Sequence, residues 1–177
     1  MLSTNRKGAI AETAIAHHAV RLGIEVYRPV VEGGRYDLIF LIFDQLVRVQ
    51  CKWAARSGDV IAVRCYSTRR SASGFLRRPY TPEEVDAIVA YCPELDRCYF
   101  LPLALFGERT EVQLRLAPTQ NNQRARVNRA DDYVLDRLDL IVESLGGAIA
   151  QLGERSAGSR KGAGSSPAGS ITQRRSL

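Results

Sequence analysis

Hydrophobic and polar positions along the chain repeat with two periods, one near two residues and one between three and four. The short period is typical of a half-buried strand, and the longer one is typical of an amphipathic helix. The pattern predicts helices over residues 8–22, 81–91 and 131–145, and strands over residues 24–30, 36–42, 45–53, 60–66, 98–103 and 111–116. We therefore expect an α/β fold in which a central mixed β-sheet is flanked by helices.

Short local signals mark where several of these elements begin and end. Ser3 or Thr4 can cap the first helix, and Gly23 is typical of the residue just beyond a helix end. The Phe-Asp pair at residues 43–44 lies between two apolar runs and predicts a tight hairpin turn. The Thr-Pro-Glu-Glu run at residues 81–84 has the cap, proline and acid that open many helices, so we expect a helix start there.

The composition of the chain changes sharply near its end. From residue 146 onward Gly, Ala and Ser dominate, and large apolar residues are too few to form a core. We therefore predict one folded domain over residues 1–146 and a disordered tail over residues 147–177.

The tail also reads as the translation of a tRNA gene. Residues 149–155 can be encoded by a D-arm and residues 164–167 by a T-arm, at the separation that a tRNA requires. Residues 147–148 and 169–170 allow codons that pair as the two sides of an acceptor stem. We interpret the tail as read-through into a tRNA gene. The alternative is a low-complexity basic tail that binds DNA.

The positions of the charged residues indicate candidate DNA-binding residues better than the net charge does. The chain has 25 Lys and Arg against 19 Asp and Glu, a net charge of +6, and much of this excess lies in the tail. In the folded part, bases and amides cluster in a way that suits phosphate and base-edge contacts. The candidate DNA-binding residues are Arg69, Arg70, Arg77, Arg78, Asn121, Asn122, Gln123, Arg124, Arg126 and Arg129. Taken alone, these clusters fit two solvated loops equally well.

The sequence offers no segment suited to a membrane or to export. The longest apolar run, residues 38–43, is far too short to cross a bilayer, and the first residues lack the apolar core of a signal peptide. The four cysteines have no Cys-x-x-Cys spacing, which argues against a zinc site and a disulfide framework. We expect a cytoplasmic, prokaryote-like protein that associates with the nucleoid and not with a membrane.

Two charged residues stand out in otherwise apolar strands. Along residues 45–53, Gln50 and Lys52 share one face, while Cys51 between them belongs to the apolar face. An unpaired buried ammonium is costly, and a nearby carboxylate would explain why Lys52 occurs in this strand. Asp37 enters the neighbouring hairpin strand and can supply it.

A third candidate is Glu12 on the first helix. Gly8 and Ala16, four residues to either side, are small and would let this helix face approach the sheet closely. A helix acid, a strand acid and a polar-x-Lys pair on the adjacent strand suit a hard divalent cation that bridges to a phosphate. The alternative is a buried ion pair between Asp37 and Lys52 with no metal.

Several short segments carry a resemblance to a known family. They are Gly8-Ala9-Ile10-Ala11-Glu12, Tyr36-Asp37-Leu38, Val49-Gln50-Cys51-Lys52 and residues 79–95, 99–102 and 120–123. Together they resemble the PD-(D/E)XK nuclease superfamily, in particular its small homing endonuclease and Holliday-resolvase-like branch. The resemblance covers roughly residues 8–140. It implies a restriction-endonuclease-like α/β core.

The resemblance also implies a role for each candidate site residue. The expected Mg²⁺ ligands are Glu12, Asp37, Gln50 and the backbone carbonyl of Cys51. Lys52 is expected to assist the attacking water. Two positions depart from the superfamily pattern, because Tyr36 replaces a proline before the Asp and Gln50 replaces the second acid. A carboxamide oxygen can still bind a metal, but the site then carries less negative charge.

The sequence therefore predicts a Mg²⁺-dependent DNA endonuclease over residues 1–146. The resemblance implies that it makes double-strand breaks in double-stranded DNA. Since each chain carries one such site, cutting both strands requires a homodimer or a homotetramer. The alternatives are a structure-specific resolvase of branched DNA, and a DNA-binding protein that has the nuclease fold but little turnover.

Overall fold

The computed structural model describes residues 2–31, 33–72, 74–107, 109–118 and 127–144. The α-helices are α1 (Thr4–Arg21), α2 (Leu103–Phe106) and α3 (Leu138–Ser144). The strands are β1 (Glu25–Tyr27), β2 (Leu38–Ile42), β3 (Gln45–Trp53), β4 (Ala55–Ser57), β5 (Val60–Arg64), β6 (Tyr66–Ser71), β7 (Gly74–Pro79), β8 (Ala87–Cys92), β9 (Arg97–Pro102), β10 (Glu111–Arg115) and β11 (Asn128–Arg129). In these segments no helix is long and apolar enough to cross a membrane.

The strands form a five-stranded central sheet, a smaller second sheet and a hairpin. The central sheet has the order β1-β2-β3-β8-β9 and is mixed, because β3 and β8 run parallel while its other pairs are antiparallel. The second sheet has the order β11-β10-β5-β4, and β6 pairs with β7. The predicted α/β fold with a central mixed sheet is confirmed, whereas the second sheet was not predicted.

The central sheet separates two hydrophobic cores. On one face, Ala11, Ile15 and Ala19 of α1 pack against β2 and β3, together with Leu135 and Leu138 near α3. The other face packs against the second sheet, and this core includes Ile61, Val63, Ile88, Ala90, Val112 and Leu114. The central sheet is therefore buried on both faces, with helices on one side and a sheet on the other. All four cysteines are buried, and none of them forms a disulfide.

Helix α1 begins and ends at the predicted signals. The Ser3 hydroxyl accepts a hydrogen bond from the main-chain N–H of Arg6 at 3.3 Å. Beyond the last turn, Gly23 adopts a φ of +80°, and the main-chain N–H of Ile24 donates to the carbonyl of Ala19 at 3.0 Å. This pattern is the Schellman motif, which favours glycine because a side chain is strained at positive φ.

The β2–β3 hairpin also forms as predicted. Phe43 and Asp44 have φ angles of 47° and 60°. Two consecutive residues with positive φ match the type I′ turn, whose twist suits a two-residue hairpin. The turn aligns Ile42 with Gln45 and, at the far end, Leu38 with Val49. This register brings the start of β2 beside the catalytic candidates on β3.

The prediction of a helix over residues 81–91 is wrong. The main-chain N–H groups of Glu84 and Val85 both donate to the Thr81 carbonyl at 3.0 Å, so the start signal produces only one turn. Strand β8 follows, and its β-branched residues Ile88 and Val89 are fully buried on opposite faces of the central sheet. Burial between two cores favours a strand, and this tertiary packing outweighs the local helix signal.

A buried ion pair fixes the start of β8. The Asp86 carboxylate, 3% exposed, accepts hydrogen bonds from the main-chain N–H and the guanidinium of Arg48 at 2.7–3.0 Å. The main-chain N–H of Asp86 donates in turn to the Arg48 carbonyl at 3.0 Å. Asp86 therefore belongs to a sheet junction and not to the helix that the sequence predicted.

The last predicted helix is only partly correct. Two 3₁₀ segments, Ala130–Tyr133 and Leu135–Arg137, occupy its first half and lead into α3. The interruption lies at Val134, which forms a β-bridge with Tyr99 of β9 and so cannot remain helical. The predicted end of this helix at residue 145 and the tail over residues 147–177 lie outside the described residues.

Candidate active site

A cleft of about 1120 Å³ opens where α1, β3 and the second sheet meet. Its lining includes all five residues that the sequence proposed for the metal and the chemistry, namely Glu12, Asp37, Gln50, Cys51 and Lys52. They come from the helix, from the residue just before β2 and from the end of β3. The fold thus brings together residues that are up to 40 positions apart in the sequence.

Asp37 is fixed to β3 through both its main chain and its side chain. Its N–H donates to the Val49 carbonyl at 2.9 Å, and its Oδ2 accepts from the Cys51 N–H at 2.9 Å. The Gln50 carboxamide also donates to this Oδ2. Burial raises the pKa of the Asp37 carboxyl, and the Cys51 N–H and the Lys52 charge partly offset that rise. The carboxylate is therefore held in one orientation at the cleft.

Gln50 occupies the position of the second acid in the family pattern. Its side chain is buried, and its Nε2 donates to Asp37 and to the Cys51 carbonyl, the latter at 3.3 Å. These two acceptors are the oxygens that the sequence proposed as metal ligands. One electropositive NH₂ group thus lies against two convergent oxygen ligands.

Lys52 points to the face of β3 opposite Cys51, as the strand alternation predicted. Its Nζ donates to the Tyr80 hydroxyl at 2.8 Å and to the Tyr66 carbonyl at 3.3 Å. Within the described residues no direct ion pair joins Lys52 to Asp37, so the alternative of such a buried pair is not observed. Burial lowers the pKa of Lys52, and the Asp37 charge opposes that effect.

Tyr80 is the site residue that sequence reasoning missed. Its side chain is only 3% exposed, and its ring packs against two cations, with Lys52 Nζ at 4.7 Å and the Arg35 guanidinium carbon at 4.4 Å from the ring centre. Burial raises the pKa of the Tyr80 hydroxyl, which therefore stays neutral and can accept from the ammonium. Tyr80 lies 28 residues beyond Lys52, and no local pattern links the two.

Glu12 lies at the helix side of the cleft and has a partner of its own. The Arg28 guanidinium, from the segment after β1, donates to Glu12 Oε1 at 2.5 Å. Both side chains are partly exposed, so this pair contributes little to stability. The expected role of Gly8 is wrong: a Cβ built there would meet nothing within 4 Å, so the approach of α1 does not depend on that glycine.

The donor set at the cleft fits a hard divalent cation. It combines the Asp37 and Glu12 carboxylates, the Gln50 carboxamide and the Cys51 carbonyl, all of which can offer oxygen. No cluster of three or more His, Cys, Asp or Glu side chains suited to a metal occurs in the described part of the chain. Because every donor in this set is an oxygen atom, the set suits a hard divalent cation.

The candidate DNA-binding residues fall into three groups. Arg69, Arg70, Arg77 and Arg78 lie on the β6–β7 hairpin, next to the cleft. Arg129 ends β11 at the edge of the second sheet and is exposed. Asn121, Asn122, Gln123, Arg124 and Arg126 lie outside the described residues. The first group thus lies on a defined two-stranded ribbon and not on a loop.

Comparison with protein-family models decides the family. The model of the PD-(D/E)XK endonuclease family matches residues 2–136. The chain belongs to the PD-(D/E)XK endonuclease family. As an endonuclease of this family it is a nuclease, and the resemblance seen in the sequence is confirmed.

Comparison with solved structures adds a neighbour with a similar fold. The structure of a bacterial homing endonuclease matches with a TM-score of 0.63 and 28% sequence identity. The match covers 83% of this chain and 98% of that one. No curated protein matches the chain significantly. The restriction-endonuclease-like fold that the sequence predicted for this PD-(D/E)XK endonuclease is thereby confirmed.

Proposed function

We propose that the chain is a Mg²⁺-dependent DNA endonuclease of the homing type. The observation that carries this proposal is the convergence of Asp37, Gln50 and Lys52 in one cleft, at the end of β3. The similar bacterial homing endonuclease supports DNA as the substrate class. A cleft next to an arginine-bearing hairpin also suits a polyanionic duplex.

The proposed Mg²⁺ ligands are Asp37, Glu12, the Gln50 carboxamide oxygen and the Cys51 carbonyl. When bound, the cation would supply positive charge and Lewis acidity at the phosphate. Glu12 would have to exchange its Arg28 partner for this role. Gln50 would have to turn its carboxamide so that oxygen replaces Nε2 beside Asp37.

The proposed role of Lys52 is to hold the attacking water or the phosphate oxygen. An ammonium has three N–H donors, and the Tyr80 hydroxyl and the Tyr66 carbonyl occupy two of them. The third donor is left for the substrate. Tyr80 acts as a positioning residue, because it anchors the ammonium without itself belonging to the metal ligand set.

Cleavage of both strands requires two copies of the site. Because each chain contributes one Asp37 and Lys52 set, we propose a homodimer at least, and a homotetramer is compatible with the same symmetry.

A DNA-binding protein with little turnover is the second candidate. The observation that favours it is Gln50, which leaves the cleft with one carboxylate fewer than the family pattern.

Plasmid nicking tests the proposal. The wild-type protein should nick and linearise supercoiled DNA with Mg²⁺ but not with Ca²⁺ or excess EDTA. Lys52→Ala should abolish this activity, whereas Lys161→Ala, which removes the same charge from the tail, should retain it. Binding of duplex DNA without cleavage in Mg²⁺ would instead support the second candidate, and preference for four-way junctions would support a resolvase.

A further inference from the structure

The β6–β7 hairpin has two faces that the strand register separates. Directly opposed residues share a face, and the face alternates along each strand. The inner face consists of Tyr66, Thr68, Arg70, Phe75 and Arg77, because Arg70 pairs with Phe75 and Thr68 pairs with Arg77. The outer face includes Ser67, Arg69, Leu76 and Arg78. The four arginines are therefore divided equally between the two faces.

The base of the hairpin shows which way each face is turned. Tyr66 and Thr68 of the inner face line the catalytic cleft. Arg77 belongs to the same face, since its guanidinium carbon lies 5.2 Å from the Tyr66 ring centre. The inner face is thus a direct continuation of the cleft wall.

At the base of the hairpin, the outer face is turned toward the body of the protein. The Ser67 hydroxyl accepts from the Arg35 guanidinium at 2.7 Å, and Arg78 forms an ion pair with Glu84. Arg35 also pairs with Glu84, so these contacts form one network beneath the hairpin. Arg78 therefore already has a carboxylate partner in the protein, which it shares with Arg35.

The distal part of the inner face is exposed and positively charged. Phe75 is 75% exposed, and in the described segments no carboxylate forms an ion pair with Arg70 or Arg77. Residues 66–79 contain four arginines and no acid. An exposed aromatic ring between two arginines suits a duplex, which offers phosphates to the guanidinium groups and sugar or base surface to the ring.

We propose that the inner face of the β6–β7 hairpin binds the DNA substrate beyond the scissile phosphate. Arg70 and Arg77 contact phosphates and Phe75 packs against a sugar or base, while Arg69 and Arg78 do not contact the duplex. From Tyr66 to Ser71 the ribbon extends about 17 Å, a span of about five base pairs. The inference rests on the proposed function, because it assigns a recognition surface to the same cleft.

The test compares neighbouring arginines of equal charge and opposite face. Binding of a short fluorescein-labelled duplex of mixed sequence is measured by anisotropy in Ca²⁺ over a range of salt. Arg70→Ala and Arg77→Ala should each weaken binding several-fold and reduce the slope of log K against log salt by about 1. Arg69→Ala should leave the slope at the wild-type value, and Arg70→Lys should restore it.

The apolar positions provide a second matched pair. Phe75→Ala should weaken binding with an unchanged salt slope, whereas Leu76→Ala on the outer face should bind as the wild type does. All these side chains are exposed, so the variants should unfold at the wild-type temperature. Equal effects at Arg69 and Arg70, or no effect at either, would overturn the inference. If the wild type binds with this asymmetry but never cleaves, the endonuclease proposal fails and the hairpin assignment stands.

Discussion

Replacing Tyr80 by Phe should slow DNA cleavage without unfolding the protein. The substitution removes only the hydroxyl that accepts from Lys52 Nζ at 2.8 Å and leaves the ring between Lys52 and Arg35. A hydrogen bond to a charged group contributes about 1.5–3 kcal/mol. If the ammonium loses this anchor in the transition state, the cleavage rate constant should fall about 10- to 150-fold. The Tyr66 carbonyl, at 3.3 Å, would remain as a weaker anchor.

Single-turnover cleavage of supercoiled plasmid in Mg²⁺ measures this effect, with protein in excess so that product release does not limit the rate. Tyr99→Phe is the matched control, because the Tyr99 hydroxyl is buried and has no hydrogen-bond partner in the described part of the chain. The control should cleave at the wild-type rate and be at least as stable, since it removes an unsatisfied polar group. A Tyr80→Phe protein that cleaves as fast as this control would refute the positioning role.

Four further changes test the site, the fold and the tail. Asp37→Ala should abolish plasmid cleavage but retain duplex binding, since the proposed DNA contacts are made by arginines and not by Asp37; cleavage at the wild-type rate would contradict the site assignment. Gln50→Glu should retain some cleavage because it restores the acid of the family pattern, whereas an unfolded protein would indicate a structural role for the carboxamide. Arg48→Ala should lower the free energy of unfolding in urea by about 3 kcal/mol, because it leaves the buried Asp86 without its ion partner; unchanged stability would argue against that pair. Removing residues 147–177 should leave Tm unchanged and weaken DNA binding only at low salt, and a loss of sequence-specific cleavage at physiological salt would show that the tail is functional.

The placement of Asp37, Gln50 and Lys52 in one cleft depends on short-range geometry. Alternation along β3 separates Gln50 and Lys52 from Cys51 whatever the rest of the chain does. The turn at residues 43–44 then sets the pairing of β2 with β3. Since Asp37 directly precedes β2, these two local facts suffice to bring it beside Gln50.

The prediction of a helix over residues 81–91 is wrong because the start signal is local, whereas the structure of the whole segment depends on its tertiary packing. Thr81 does accept the expected main-chain hydrogen bonds. Beyond that turn, however, Asp86 is bound by Arg48, and Ile88 and Val89 are buried in different cores. Consecutive side chains point to opposite faces of a strand, so a central strand buries both of them in different cores. Consecutive side chains of an α-helix do not point in opposite directions.

Tyr80 and Arg28 could not be predicted because their contacts depend on loop geometry. Arg28 reaches Glu12 across 16 residues, and Tyr80 reaches Lys52 across 28. Tyr80 lies outside every predicted element, and Arg28 lies near the end of the strand predicted over residues 24–30, so no pattern of polar and apolar positions indicates a partner for either. The β6–β7 hairpin was missed for a related reason, because both of its strands are largely exposed and lack a buried stripe.

The two-residue turn between β2 and β3 makes this gene unusually sensitive to small changes of length. Phe43 and Asp44 close the hairpin with no spare residue. If one codon were inserted or deleted here and the turn kept its two residues, the pairing of β3 with β2 would shift by one residue. Gln50 and Lys52 would then lie on the face that Cys51 now occupies. Such a change keeps the reading frame and much of the apolar composition, yet it removes the ammonium from the cleft. Descendants of this gene should therefore accumulate length differences in their surface loops and almost never at this turn.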